Sequence, residues 1–193
     1  DLVGKAVKKA FFGPVSVSVM LDPNGSNTTA AAIARKVLTD YDVKDKNVVI
    51  LGSGPVGQRT ALYMLREGAK KVTLTCRSME RSKATVKEMK EHYGVDVMPG
   101  ETRSDEAVKQ IVSDAHVVIA AGPAGVCVVP EMALANNTSI EVVADVNAVP
   151  PLGVAGMEVM DNGVEKNGMR YYGAIAIGNF KMKVHRGAIA SLF

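Results

Sequence analysis

The chain has few cysteines: Cys76 and Cys127 stand in unrelated contexts, with no CxxC and no Cys/His ligand spacing. That excludes a disulfide framework and a zinc site as organising features, so no metal is expected and a reducing compartment is. No run approaches the roughly 18 apolar residues of a membrane span, and no basic, apolar and small-residue leader opens the sequence. The expectation is a cytoplasmic protein without a membrane partner. Basic residues are not massed in any block: 23 Lys and Arg against 20 Asp and Glu give a net charge of +3, and they are scattered. A nucleic-acid partner is therefore not expected, although an anionic cofactor suits the balance. No Ser-Tyr-Lys, Cys-His or paired-carboxylate constellation stands out, and none of the histidines is given a catalytic role.

What is present is a chain of 193 residues, 47% hydrophobic and 22% charged. One full domain plus a smaller piece fits that length; two large domains do not. The first residue is not methionine, and the chain opens on what reads as the tail of a helix, Val3 to Phe12, so it reads as a fragment. Val15 to Leu21 alternates apolar with small polar residues, which predicts a strand. A polar turn over Asp22 to Thr29 leads into a helix carrying Ala30, Ile33, Ala34, Val37 and Leu38 at helical spacing and ending near Asp40. Asn47 to Leu51 is a continuous apolar run of the kind buried on both faces of a parallel sheet.

From there strands and helices alternate. Strands are predicted at Val72 to Cys76, Val95 to Met98, Val117 to Ala121, Ile140 to Ala144 and Tyr171 to Ile175, and helices at Pro55 to Glu67, Met79 to Tyr93 and Asp105 to Ser113. The order implies right-handed crossovers and an α/β fold with a doubly wound parallel sheet. The expected division is residues 1–44 as the remnant of an N-terminal catalytic or substrate domain with its linking helix, 45–178 as a nucleotide-binding Rossmann domain, and 179–193 as the start of a C-terminal helix.

Between the first strand and the next helix lies Gly52-Ser53-Gly54-Pro55-Val56-Gly57. Glycines at this spacing are weak evidence alone; a strand before, a helix after and a second strand beyond make them a dinucleotide site. Gly52 allows the tight turn, Gly54 lets the backbone approach a pyrophosphate, and Gly57 lets the helix pack on the strand. Pro55 occupies the first helical turn, where its missing N–H costs nothing. NAD enzymes place a carboxylate about 20 residues on. Here the segment is Thr75-Cys76-Arg77-Ser78, with Arg77 20 residues past Gly57. An arginine fork clamps a 2′-phosphate and Ser78 adds a hydroxyl, so the cofactor is read as NADP, with NAD possible. Arg81 and Lys83 are the alternative phosphate carriers.

Four blocks carry a resemblance: Leu21-Asp22-Pro23-Asn24-Gly25-Ser26-Asn27-Thr28-Thr29-Ala30-Ala31-Ala32, the glycine turn, Ala144-Asp145-Val146-Asn147-Ala148-Val149-Pro150-Pro151-Leu152-Gly153, and Ile177-Gly178-Asn179-Phe180-Lys181-Met182-Lys183-Val184-His185-Arg186. Together they resemble the NAD(P)-dependent methylene-tetrahydromethanopterin dehydrogenases, which are related to the methylene-tetrahydrofolate dehydrogenases. The resemblance implies a pterin-binding domain facing a Rossmann domain, with most of the former and the last C-terminal segment lying outside this sequence. It implies an oxidoreductase of one-carbon metabolism that takes hydride from the methylene bridge of methylene-tetrahydromethanopterin, or its folate counterpart, to NADP. No proton moves in that reaction, so orientation and exclusion of water matter more than an acid and a base.

In this reading the site forms at the carboxyl ends of the strands. Ala121 and Gly122 pass under the cofactor, and Asp145 and Asn147 approach its carboxamide. Lys181 lines the active site, positioning a pterin carbonyl or repelling the developing cation, unless it is simply a solvated lysine beginning the last helix. Asn24, Ser26 and Thr28 contact the reduced pterin, or do no more than cap a helix. A homo-oligomer is expected. Two rival readings stand: a shikimate-dehydrogenase-like NADP oxidoreductase, suggested by Cys76-Arg77-Ser78 with Arg81, and a nucleotide-binding Rossmann module without catalysis.

Overall fold

β1 (Asn47–Leu51) and β4 (Val117–Ala120) form the middle of the sheet because both of their faces are apolar, and each is buried along nearly its whole length. The computed structural model describes residues 2–193. Around this pair the strands run in the order β3-β2-β1-β4-β5-β7-β6, with β2 at Lys71–Cys76, β3 at Met98–Glu101, β5 at Val142–Asp145, β6 at Asn162–Lys166 and β7 at Met169–Tyr172. All neighbours are parallel except β6 and β7. The chain winds outward from β1 to β3, then returns to the other side of β1 as β4. That reversal opens a crevice beyond the carboxyl ends of β1 and β4, where α/β proteins bind ligands.

Alternation along the strands builds two cores. Val48 and Ile50 of β1 point to the face covered by α2 (Ser26–Asp40), α3 (Pro55–Arg66), α4 (Met79–Tyr93) and α7 (Ala174–Ala190), where they meet Ile33, Val37, Met64, Met89, Tyr172 and Ile177. Val49 and Leu51 point to the other face, covered by α5 (Asp105–Ile111), α6 (Glu131–Leu134) and the Val154–Met157 segment. Ile33 and Val37 are fully buried, and each contributes about 1.5–3 kcal/mol by leaving water. Thus α2, on the N-terminal side of the expected boundary near residue 44, packs against α3 and α7 and is part of this core.

Several expectations need correction. Residues 15–21 form no strand: Val15, Val17 and Val19 are 63%, 68% and 44% exposed. Their alternation suits a strand, but no strand among the described residues lies beside them to complete a ladder, and an unpaired strand has no stability of its own. The initial helix, α1, spans Leu2–Lys9. β3 begins three residues later than expected, running through Pro99 and Gly100; proline is tolerated because the strand is at the sheet edge. β7 ends at Tyr172 and α7 begins at Ala174, ahead of the expected start at 179. Short apolar runs such as Ala174 to Ile177 suit either a strand or a helix; here the run follows Gly173, the N-cap of α7, and opens that helix.

Candidate active site

The glycine turn closes over the crevice by backbone contact. A Cβ on Gly52 would lie 2.2 Å from the Ala121 carbonyl oxygen, and its φ of +129° excludes other residues independently. A Cβ on Gly57 would lie 1.9 Å from the Gly52 carbonyl oxygen. Gly54 differs from both: its φ of −72° and ψ of 179° suit any residue, and a Cβ there meets nothing within 4 Å. What Gly54 provides is open space at the N-terminus of α3, which starts at Pro55 and has no side-chain cap. The first-turn amides, including those of Val56 and Gly57, and the positive end of the helix dipole favour an anion in such a place.

Beside this turn lies a cavity of about 370 Å³, whose walls include Gly52, Ser53, Gly54, Cys76, Arg77, Arg81, Ala121 and Gly122. Arg77 is exposed at the end of β2, and Ser78 caps α4 by accepting from the Arg81 amide at 3.4 Å. The turn is braced from β3. Arg103 Nε donates to the Arg77 carbonyl at 3.2 Å and pairs with Glu101 at 2.9 Å, and Glu101 accepts from the Met79 amide at 2.8 Å. Cys76 reports the local potential. Burial pushes its thiol up, yet the Ser78 amide, the Ser53 hydroxyl, the Arg81 charge and the Arg77 amide outweigh that and leave it below the ordinary thiol value. The amides, hydroxyl and guanidinium gathered around Cys76 are the kinds of group that an anion binds. A larger hollow of about 820 Å³ lies between α6 and the β6–β7 turn and touches none of the residues singled out from the sequence.

Asp145 and Asn147 do not face that cavity. Asp145 is buried and accepts from the amides of Asn147 (2.8 Å), Gly153 (2.7 Å) and Val154 (3.3 Å). Burial dominates over these bonds and raises its carboxyl above the ordinary value. Asn147 accepts from the amides of Gly125 (3.3 Å) and Val149 (2.9 Å) and donates to the Pro151 carbonyl at 3.0 Å. Asp145 folds the loop after β5 onto itself, and Asn147 ties that loop to Gly125 in the loop after β4, so any contact with a ligand falls to the backbone they shape.

A second cluster forms around the turn before α2. Asp22, its side chain 6% exposed, accepts from the amides of Asn27 (2.7 Å) and Thr28 (3.3 Å) and from the Thr28 hydroxyl at 2.6 Å. Burial raises its carboxyl, but these bonds, with the charge of Lys181, hold it below the usual range. Ser26 is buried and donates to the Pro23 carbonyl at 2.9 Å. Of the three residues read as substrate contacts, only Asn24 is exposed, in the left-handed region at φ 52°. Lys181 sits two turns into α7, with its Nζ 2.5 Å from where a Gly25 Cβ would stand. His185, one turn further on, places Nδ1 3.9 Å from Asp22.

Arg59 ties the two clusters together. Its Nε donates to Asn27 Oδ1 and its Nη1 to the Pro55 carbonyl at 3.1 Å, so the turn before α2 meets the start of α3. Sequence reasoning missed Asp22 as an anchor, Arg59, the Glu101–Arg103 brace and the proximity of His185. Arg59 lies two residues past Gly57, in the helix the motif opens, and Asp22 bonds only five and six residues along the chain, so both had local signals; the brace to Met79 and the proximity of His185 depend on longer-range packing.

Residues 32–150 match the shikimate / quinate 5-dehydrogenase family. Over 196 aligned positions the chain is 45% identical to the "Bifunctional protein MdtA" of Methylorubrum extorquens, a match covering 100% of this chain and 68% of that protein. It is 37% identical over 190 positions to the NAD(P)-dependent methylenetetrahydromethanopterin dehydrogenase of the same organism, covering 94% of this chain and 64% of that one. The chain thus spans about two thirds of the length of these curated relatives. Quinate dehydrogenase from Corynebacterium glutamicum in complex with NAD superposes with a TM-score of 0.57 at 16% identity, covering 93% of this chain and 73% of that chain, a likeness of fold alone. The chain belongs to the NAD(P)-dependent methylenetetrahydromethanopterin dehydrogenase family, and its nucleotide-binding part to the shikimate / quinate 5-dehydrogenase family.

Proposed function

We propose that the full-length protein carrying this chain is an oxidoreductase that transfers hydride from the methylene bridge of methylene-tetrahydromethanopterin to NADP. The carrying observation is that the Asp22 to Thr28 turn, Lys181 and the glycine turn converge at one end of the sheet, joined by Arg59. NADP, when bound, supplies the hydride acceptor. Gly54 and the first turn of α3 hold its pyrophosphate, while Arg77, Ser78 and Arg81 hold the 2′-phosphate in the corner around Cys76. Ala121 and Gly122 let the cofactor pass close to the sheet. Asp145 and Asn147 act by fixing the loops beside it.

On the substrate side, Asn24 contacts the pterin, and Ser26 and Thr28 hold the turn that presents it. Lys181 is the catalytic residue, orienting a pterin carbonyl so that the methylene hydride is aligned with its acceptor. No side chain has to take a proton in this step. The protein works in the cytoplasm as a homo-oligomer, with no nucleic-acid or membrane partner.

A hydride-transfer assay of the full-length protein, with methylene-tetrahydromethanopterin and methylene-tetrahydrofolate against NADP and NAD, tests this reading. Reduction of NADP by either methylene-pterin supports it. Turnover of shikimate or quinate instead would favour the second reading, for which the match over residues 32–150 speaks. Nucleotide binding without turnover of any of these would leave a non-catalytic module.

A further inference from the structure

We infer that Asp22 is a positioning residue for Lys181, seating the ammonium over Gly25 at the point where the turn before α2 meets α7. The inference rests on the role proposed above for Lys181 and adds a residue to that site. Asp22 is fixed more tightly than a turn carboxylate needs to be. Two amides and one hydroxyl hold it, all from Asn27 and Thr28 at the start of α2, so its oxygens have one orientation. Lys181 and His185 face it from α7. From α3, Arg59 approaches only as far as Asn27, whose amide Asp22 also accepts.

Space completes the seat. A Cβ built on Gly25 would stand 2.5 Å from Lys181 Nζ and 3.0 Å from Cε, and 3.9 Å from Asp22 Oδ2. The ammonium and the carboxylate therefore flank the same small gap, which exists because residue 25 has no side chain. Lys181 is held by the field of Asp22 and by this gap, with no close ion pair among the described residues, so its three N–H donors stay available to a substrate. His185 lies against the same carboxylate from the next turn of α7, its Nδ1 3.9 Å away.

The test is a double-mutant cycle in the full-length protein, reading kcat, KM for the methylene-pterin and the dissociation constant of NADP. Asp22→Asn should lower kcat about tenfold while NADP binds within twofold of the wild type. In a Lys181→Met background the same change should leave kcat unaltered, because a residue that acts only through Lys181 has nothing left to position. Gly25→Ala, which fills the gap, should behave the same way and carries the test if Asp22→Asn does not fold. Equal loss of kcat from Asp22→Asn or Gly25→Ala in both backgrounds overturns this inference alone, since it marks a purely structural role. Unchanged turnover in Lys181→Met overturns both the inference and the role of Lys181 on which it rests.

Discussion

Replacing Gly54 with alanine should weaken nucleotide binding and leave the fold intact, whereas Gly57→Ala should destabilise the fold itself. At Gly54 the backbone already has values that any residue adopts, and the added methyl meets no atom within 4 Å. Folding stability should therefore be unchanged, or raised by about 0.4–1 kcal/mol as the unfolded chain loses freedom. The methyl would instead stand where a pyrophosphate must touch the backbone. Overfilling a close contact costs about 1–3 kcal/mol, or about 5- to 150-fold in Kd. At Gly57 the methyl would lie 1.9 Å from the Gly52 carbonyl oxygen, backbone against backbone, so α3 must move off β1. A loss of about 3 kcal/mol or more follows, and at about 2–4 °C per kcal/mol the melting temperature should fall by roughly 6–12 °C. Circular-dichroism melting with calorimetric titration of NADP separates the two variants. Wild-type affinity in Gly54→Ala, or a wild-type melting temperature in Gly57→Ala, would refute the reasoning.

Three further outcomes are expected. Arg77→Glu should weaken NADP about 100-fold and NAD less than threefold, since a unit charge about 4 Å from phosphate is worth roughly 1–4 kcal/mol near a surface and reversal turns attraction into repulsion; equal losses for both nucleotides would place the 2′-phosphate elsewhere. Lys181→Ala should lower turnover with NADP affinity unchanged, and an unaltered rate would remove it from the site. Asp22 has a folded-state pKa below its unfolded value of about 3.9, so its stabilising effect is present above that value and lost as pH falls through the folded pKa. Wild type should exceed Asp22→Asn by about 1–2 kcal/mol at pH 7, the worth of a helix cap with charged hydrogen bonds, with the gap closing as pH falls from the unfolded value through the lower folded one; urea titrations showing a pH-independent gap would contradict this.

The central sheet was legible because its signals are local. The unbroken apolar run of β1 and the glycine spacing after it need no information from elsewhere in the chain, and α4 spans the residues expected for it, with Ser78 as its cap and Gly94 as its αL stop. β6 was missed because an exposed edge strand has no apolar face to display; the Asn167-Gly168 pair between β6 and β7, both residues at positive φ, was the usable signal for that hairpin. Val15 to Leu21 failed in the opposite way, carrying the right alternation with no neighbour to pair with. In the site, Arg77 and the glycines were legible from their offsets, but what Asp145 and Asn147 do was not. Their side chains turn inward to satisfy amides of a loop whose course only the tertiary structure determines. The meeting of Lys181 with Asp22 is longer-range still, set by α7 packing on α2 across 159 positions of sequence.

The most direct measurement of the central claim is the rate of NADPH appearance when the purified full-length protein is mixed with methylene-tetrahydromethanopterin and NADP. Steady NADPH formation with matching methenyl product, slower with NAD and absent with shikimate or quinate, is the expected result. A protein that binds NADP yet reduces it with shikimate or quinate, or with none of these substrates, would contradict the account.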